Sequence, residues 1–341
     1  MNFVDLRSDT VTHPTRNMIQ AISDAVLGDD GWADDPTVNK LQDMAADITG
    51  KEAALFVPSG TMGNLVSVIT HCQRGEEIIV GDQSHLYLYE YAGASAFGGI
   101  SLRQVPNQKD GTLDIAQVEA AIRPTSERFP TTSLVSIENT HNRCNGAVLT
   151  AEYTRQISDM SHRHGATVHL DGARIFNAAV ALGVDVKELV APVDSLTFCF
   201  SKGLSCPVGS MICGSMEFIR RARHTRNALG GGMRQVGILA AAAIVALNDM
   251  IERLAEDHAN ASRLAHGLAK IRGISIDPED IPTNIVYFGI EQGSVPEFLQ
   301  NLKDRGVLAQ HPYGSKVRMV THYGISAEDI DYTLDAVEAC F

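Results

Sequence analysis

Basic residues are in short supply in this chain. Lysine and arginine number 28 against 41 aspartates and glutamates, for a net charge of −13. Nucleic-acid phosphates are gripped by basic faces, so no nucleic-acid partner is expected. A small anionic ligand stays compatible with this balance, because a local basic pocket can sit on an acidic protein. No apolar run approaches the roughly 18–20 residues that span a bilayer. The longest such stretch, Gly237 to Leu247, fits a buried helix instead. The opening MNFVDLRSDT has two aspartates and no apolar core, so it does not read as a signal peptide and no membrane association is expected. The six cysteines (Cys72, Cys144, Cys199, Cys206, Cys213, Cys340) show no CxxC spacing. They read as reduced thiols rather than as zinc ligands, which points to the cytoplasm. Internal repeats, low-complexity tracts and Gly/Ser linkers are missing as well.

What remains is an ordinary globular composition, 44% hydrophobic and 20% charged over 341 residues. Short apolar runs alternate with amphipathic helices, the pattern of an α/β protein with a mainly parallel sheet. The spacing predicts strands over Ala54–Val57, Glu77–Gly81, Ser101–Val105, Leu134–Glu138, Thr167–Asp171 and Ser195–Phe200, with Met211–Gly214 as a seventh. Helices are predicted over Met62–His71, Ile115–Ile122, Ala151–His164, Val186–Val190 and Met216–Ala222. Beyond residue 232 the pattern changes. Arg234–Asp249 reads as an Ala-rich helix apolar on all sides, buried between layers or subunits. A second helix follows, and then a small α+β unit. The expected division is a large domain, 1–246, and a small C-terminal domain, 247–341, onto which the N-terminal residues pack.

Three stretches carry chemistry. In VPSGTMGN, a strand runs into Ser59-Gly60-Thr61 at the start of an apolar helix. Free N–H groups and the positive dipole end suit a phosphate there, although a plain capped turn has the same appearance. In TVHLDGAR, Asp171 ends a buried strand, where α/β proteins bind ligands; a helix-capping aspartate is the plainer reading. In LTFCFSKGLSC, Lys202 follows Ser201 directly after an apolar strand. A lysine in such a pocket can lose its proton and attack a carbonyl, and a snorkelling lysine is the alternative. Together the three supply a phosphate cradle, a carboxylate for a protonated ring nitrogen, and an imine-forming amine. Those are the needs of pyridoxal 5′-phosphate (PLP).

At this point the chain resembles the L-threonine aldolases, of the low-specificity or L-allo-threonine type, within the β-eliminating lyase group. The matching stretches are DLRSDTVT, GDDGWADDPTVN, GKEAALFVPSGTMGN, DQSHLYLYE, ENTHN, HLDGARIFNA, SKGLSCPVGS, GGGMRQ and VRMVTH, spread over residues 5 to 322. The resemblance implies a PLP-dependent transferase fold (fold type I), with a mainly parallel seven-stranded sheet in the large domain. It implies retro-aldol cleavage of threonine-like β-hydroxy-α-amino acids to glycine and an aldehyde. Lys202 is then the imine-forming residue, with Ser201 beside it, and Asp171 the partner of the pyridine nitrogen. Ser59, Gly60 and Thr61 hold the phosphate, helped by Arg234 from a neighbouring subunit, and His85 stacks on the ring. Ser8, Arg174 and Arg318 bind the substrate carboxylate, and His141 lies near the β-hydroxyl alongside His85. A homodimer or homotetramer with shared active sites is implied too, and no metal.

Three departures from the family pattern stand out. Trp32 replaces a tyrosine in a loop expected to border the substrate. Asn142-Arg143-Cys144-Asn145-Gly146 lengthens the turn after ENTHN. Asn227 stands where relatives often carry lysine, with Arg226 as the expected substitute cation. The same scaffold and the same Lys202 and Asp171 also serve amino-acid racemases and β-eliminating lyases. A non-catalytic PLP-binding protein is the remaining alternative.

Overall fold

The structure, a computed structural model, describes residues 3–124 and 126–341. Seven strands form the large sheet: β1 Ala53–Val57, β2 Glu77–Gly81, β3 Ser101–Val105, β4 Thr132–Glu138, β5 Thr167–Asp171, β6 Ser195–Cys199 and β7 Ser210–Gly214. Their spatial order is β1-β7-β6-β5-β4-β2-β3. Neighbours are parallel except at β7, which runs antiparallel to both β1 and β6. Strands β2, β6 and β7 are buried along their whole length. That is why they read as continuous apolar runs: helices cover both faces of such a sheet. The predicted strand Ser195–Phe200 stops at Cys199, and the Phe200 N–H bonds the Gly209 carbonyl as the chain turns off the sheet toward Lys202.

Local chemistry sets the helix starts. Ser59 caps the helix Gly60–His71 through Oγ, which accepts from Met62 N–H at 3.2 Å, so this helix begins two residues before the predicted Met62. Asp35 caps Pro36–Thr49, and Gly50 closes it at φ 67°, a left-handed conformation that glycine adopts without strain. Pro36–Thr49, Arg16–Ser23 and Ile175–Leu182 have no counterpart in the sequence expectation. The Ala-rich helix runs Gly237–Asp249, which leaves Arg234 in the preceding turn. Its Ala240, Ala242, Ala243 and Ala246 are fully buried, and their small side chains let Arg16–Ser23 and Pro36–Thr49 pack against it.

There are two principal cores. The larger lies around the sheet and includes Phe56, Val135, Leu170, Phe198 and Phe200, extending as far as Leu254. The smaller begins at Ala261 and includes Leu264, Phe288, Met319 and Val337. It sits against a four-stranded antiparallel sheet ordered Gln310–Tyr313, Lys316–Val320, Ile285–Ile290, Ile274–Ser275. Residue 246 therefore falls inside a helix of the larger core, and the cores separate within Leu254–Leu268. The N-terminal arm joins the smaller unit. Val4–Asp5 pairs in parallel with Val307–Leu308, and Leu6 is buried in that core. Burial of one leucine stabilises by roughly 1.5–3 kcal/mol, which together with the strand pairing and the Arg174–Asp9 ion pair anchors the arm.

The strand register fixes the next level. Glu138 pairs with Asp171, and Asp171 with Thr197, across three adjacent parallel strands. Both carboxylates thus emerge at the carboxyl edge of the sheet, where ligands of open α/β sheets bind.

Candidate active site

A cavity of about 300 Å³ opens at that edge. Of the residues singled out from the sequence, Ser8, His85, Asp171, Arg174, Lys202 and Arg318 line it. They come from five places: the N-terminal arm, the turn after β2, the end of β5, the turn after β6 and the antiparallel sheet. Thr10, Tyr89, Glu138, Asn142, Tyr287 and Gln310 share the wall, and sequence reasoning gave none of them a role.

Asp171 is buried, and both its oxygens are engaged. Oδ2 accepts from Asn64 Nδ2 at 2.8 Å and Oδ1 from the Ala173 N–H at 3.1 Å. Burial works to raise its pKa. The nearby charges of His85 and Lys202, with these hydrogen bonds, outweigh burial and hold the carboxyl below its ordinary value. A buried carboxylate kept ionised is a partner for a protonated nitrogen.

Asn64, one turn into the helix Gly60–His71, ties that helix to Asp171, while Ser59, Gly60 and Thr61 lie outside the lining of this cavity. The N–H groups of Gly60 and Thr61, in the first turn, have no helical acceptor. A Cβ at Gly60 would come 2.8 Å from Cys199 Sγ, so the helix start approaches the end of β6 as only glycine permits. Lys202 follows three residues after that contact, and Thr12 Oγ1 reaches the Lys202 carbonyl at 3.1 Å.

One side of the cavity is built on buried ion pairing. Arg174 meets Asp9 in a two-pronged pair, Nε to Oδ2 at 2.6 Å and Nη2 to Oδ1 at 2.7 Å. Burial pushes Asp9 upward, but the guanidinium of Arg174, with Lys202 and Arg318 beyond it, holds it well below the carboxylate range. Arg318 donates through Nη2 to Asn142 Oδ1 at 2.9 Å and through Nη1 to the Arg7 carbonyl and Gln310 Oε1, each at 3.2 Å. Its Nε is buried with no partner. Ser8 caps the turn Asp9–Val11, its Oγ accepting from Thr10 N–H.

His85 opens a one-turn helix, His85–Leu88, and its backbone N–H donates to Glu138 Oε2 at 2.7 Å. The other Glu138 oxygen accepts from the Asn142 N–H at 2.8 Å, so one carboxylate ties two walls of the cavity. His85 Nδ1 lies 2.8 Å from Glu90 Oε1. Burial opposes its charged form. The Glu90 bond and the negative charges of Asp171 and Glu90 prevail, and its pKa is raised.

The remaining expected residues lie elsewhere. His141 is not part of the cavity wall. Its backbone bridges to Ala147, it packs against Gly111, and both ring nitrogens are buried without partners. Ser201 is half-buried beside Lys202, outside the lining. Trp32 is 81% exposed and does not border this cavity. Arg234 extends beside Gly31 with its side chain 71% exposed, Nη1 3.5 Å from Asp29 Oδ1. Arg226 does not replace the family lysine at 227. It is fully buried, with Nη2 on Asp30 Oδ2 at 2.6 Å and Nη1 on the Phe56 carbonyl at 2.9 Å.

With this geometry in hand, comparison with known proteins is informative. A family model for beta-eliminating lyases matches residues 5–291. The chain is 46% identical to low-specificity L-threonine aldolase 1 of Arabidopsis thaliana, over 100% of this chain and 96% of the relative. It is 45% identical to the low specificity L-threonine aldolase of Escherichia coli strain K12, over 96% of each. A solved structure of Leishmania major threonine aldolase superposes with a TM-score of 0.84 at 18% identity, covering 98% of this chain and 99% of that one. At that identity the likeness speaks for the fold.

Proposed function

The chain belongs to the beta-eliminating lyase family, and from that premise we propose that it is a carbon–carbon lyase of the threonine aldolase type. It cleaves L-threonine, L-allo-threonine and related β-hydroxy-α-amino acids to glycine and an aldehyde. The observation that carries this reading is the meeting of Lys202, Asp171, Arg174 and Arg318 in one cavity, in a chain 45–46% identical over nearly its whole length to low-specificity L-threonine aldolases.

The residues fit pyridoxal 5′-phosphate. At Gly60 the helix start packs so closely on Cys199 Sγ that a Cβ would stand 2.8 Å from it, and the first N–H groups of that helix, which have no helical acceptor, suit a phosphate. The buried, ionised Asp171 has the chemistry to keep a ring nitrogen protonated. Lys202 would hold the aldehyde carbon covalently, Asp171 the ring nitrogen, His85 the ring face, and Ser59, Gly60 and Thr61 the phosphate. When bound, the cofactor supplies an electron sink for charge developing at the substrate Cα.

The chain's own groups do the rest. Arg174 and Arg318 present cationic N–H donors to the substrate carboxylate, with Ser8 beside them, which fixes the amino acid for reaction. His85 is the imidazole in the wall, and it takes the proton of the β-hydroxyl as the Cα–Cβ bond breaks. The β-carbon leaves as the aldehyde carbonyl, and Cα gains a proton to give glycine. The test is product analysis of the PLP-loaded protein with β-hydroxy amino acids.

We assign the cation at the phosphate end to Arg234 of a neighbouring copy, because Arg226 is committed to Asp30 and Arg234 is exposed. A homodimer or homotetramer with shared active sites follows from that assignment. Cytoplasmic residence is the setting that suits six unpaired cysteines. Among the described residues no helix is long and apolar enough to cross a membrane.

A further inference from the structure

Behind His85 lies a buried carboxylate that the reaction as described does not use. Glu90 Oε1 sits 2.8 Å from His85 Nδ1 and accepts from Asn64 Nδ2, also at 2.8 Å. The other Asn64 amide hydrogen goes to Asp171 Oδ2, and Asn64 Oδ1 faces His169 Nε2 at 3.2 Å. All of Asn64's hydrogen-bonding capacity toward the two carboxylates is therefore on its NH₂ group, and a flipped amide would set oxygen against oxygen. Backbone strain marks the same place. Tyr91 and Ala92, the two residues after Glu90, both have φ of 53°, a region that non-glycine residues avoid.

We propose that Glu90 is a positioning residue for the aldol cleavage. It engages Nδ1 of His85, leaves Nε2 as the nitrogen presented to the cavity, and sustains the positive charge the ring acquires on taking the β-hydroxyl proton. The inference rests on the aldolase reading above. The proton balance is simple: the β-hydroxyl O–H breaks, Nε2–H forms, and the Nδ1–H stays on its bond to Glu90. A carboxylate behind a histidine selects the tautomer and stabilises the imidazolium in this way. The groups facing His85 are Glu90 and Asp171, which favour its charge, Lys202, which opposes it, Glu138 on its backbone N–H, and the Tyr89 ring 5.4 Å away. Among them Glu90 is the carboxylate bonded to the ring itself. His141, by contrast, has no partner on either ring nitrogen.

The experiment uses the PLP-loaded protein and two readouts, the His85 ring titration by NMR and the pH profile of kcat/KM for L-threonine. In the native protein the ring titrates above 6.5; a value below that overturns the proposal without any variant. In Glu90→Gln the ring titration falls by about one unit or more. The rising limb of kcat/KM moves to lower pH with it, and kcat on the plateau drops roughly ten- to a hundredfold. Glu90→Asp, which keeps the charge, restores the limb toward its native position. Activity scaled down equally at all pH values, with the ring titration unmoved, would make Glu90 merely structural and overturn the proposal. If the native protein releases no glycine from any β-hydroxy amino acid, the aldolase reading fails, and the NMR titration still decides the Glu90–His85 pairing.

Discussion

Arg174 and Asp9 form a two-pronged ion pair across the cavity floor, both side chains almost wholly removed from water. It links the N-terminal arm to the segment after Asp171. Breaking such a pair from one side leaves an unpaired buried charge. Arg174→Ala is therefore expected to destabilise by about 3–5 kcal/mol, and Arg174→Lys to recover little of it, because an ammonium cannot reproduce the planar fork. Denaturant unfolding of Arg174→Ala, Asp9→Asn and the double variant measures this. The double variant loses less than the sum of the singles if the pair is the unit.

Arg318 plays a different part. Its side chain joins Arg7, Gln310 and Asn142 in the cavity wall, and its Nε is left without a partner. If that guanidinium receives the substrate carboxylate, Arg318→Ala raises KM for L-threonine on the order of ten- to a hundredfold. The loss in kcat is smaller, since the contact is made in the ground state as well. Steady-state kinetics at saturating cofactor separates the two. An unchanged KM would remove Arg318 from the binding site.

Stability is expected to fall in mild acid for a reason seated behind the site. His169 is fully buried, and its bonds to Asn64 Oδ1 and Ser195 Oγ suit a neutral ring, one nitrogen donating and one accepting. Burial pushes its pKa down to about 4, and burial also lowers His71 to about 3 and His258 to about 4. Unfolded histidines titrate near 6.5. Between pH 6.5 and about 4 the unfolded chain therefore binds more protons, and stability is lost as pH falls through that window. Asp257, raised to about 6 by burial, works the other way, as do the raised Glu90 and His85. Melting temperature is expected to drop steadily from pH 6.5 to 4. In His169→Gln the slope is shallower by up to about 1.4 kcal/mol per pH unit.

Trp32 is the chain's single tryptophan and is mostly exposed in one copy. The preceding residue, Gly31, lies against the exposed Arg234, which the phosphate assignment places in a second copy's site. Dilution through the dissociation range should shift Trp32 emission to the red and cut cofactor affinity together. Light scattering that gives a single-chain mass with cofactor bound would contradict shared sites.

Much of this architecture was legible from the sequence, and what escaped it has a physical pattern. Strands such as Glu77–Gly81 and Thr167–Asp171 announce themselves because both faces are buried, so apolar runs mark their limits. Lys202 and Asp171 stood out as polar residues where such runs end. Pro36–Thr49 escaped because its polar residues, including the buried Gln42, interrupt the apolar stripe. Asp9, Asn64, Glu90 and Glu138 lay inside the quoted motifs, yet nothing linear reveals that they touch Arg174, Asp171 and His85. Those contacts exist only once the sheet brings separate turns to one edge. Tyr287 and Gln310 had no local signal. His141, expected beside the β-hydroxyl, is buried against Gly111 with no partner on either ring nitrogen.

The most direct test incubates the PLP-loaded protein, with Lys202→Ala alongside, with L-threonine, L-allo-threonine, L-phenylserine and alanine. Glycine with acetaldehyde from the first two, glycine with benzaldehyde from the third, no product from alanine, and neither product nor the cofactor's absorbance band in Lys202→Ala is the predicted result. An intact absorbance band in the native protein with no aldehyde from any β-hydroxy substrate would contradict it, leaving the scaffold with a different reaction.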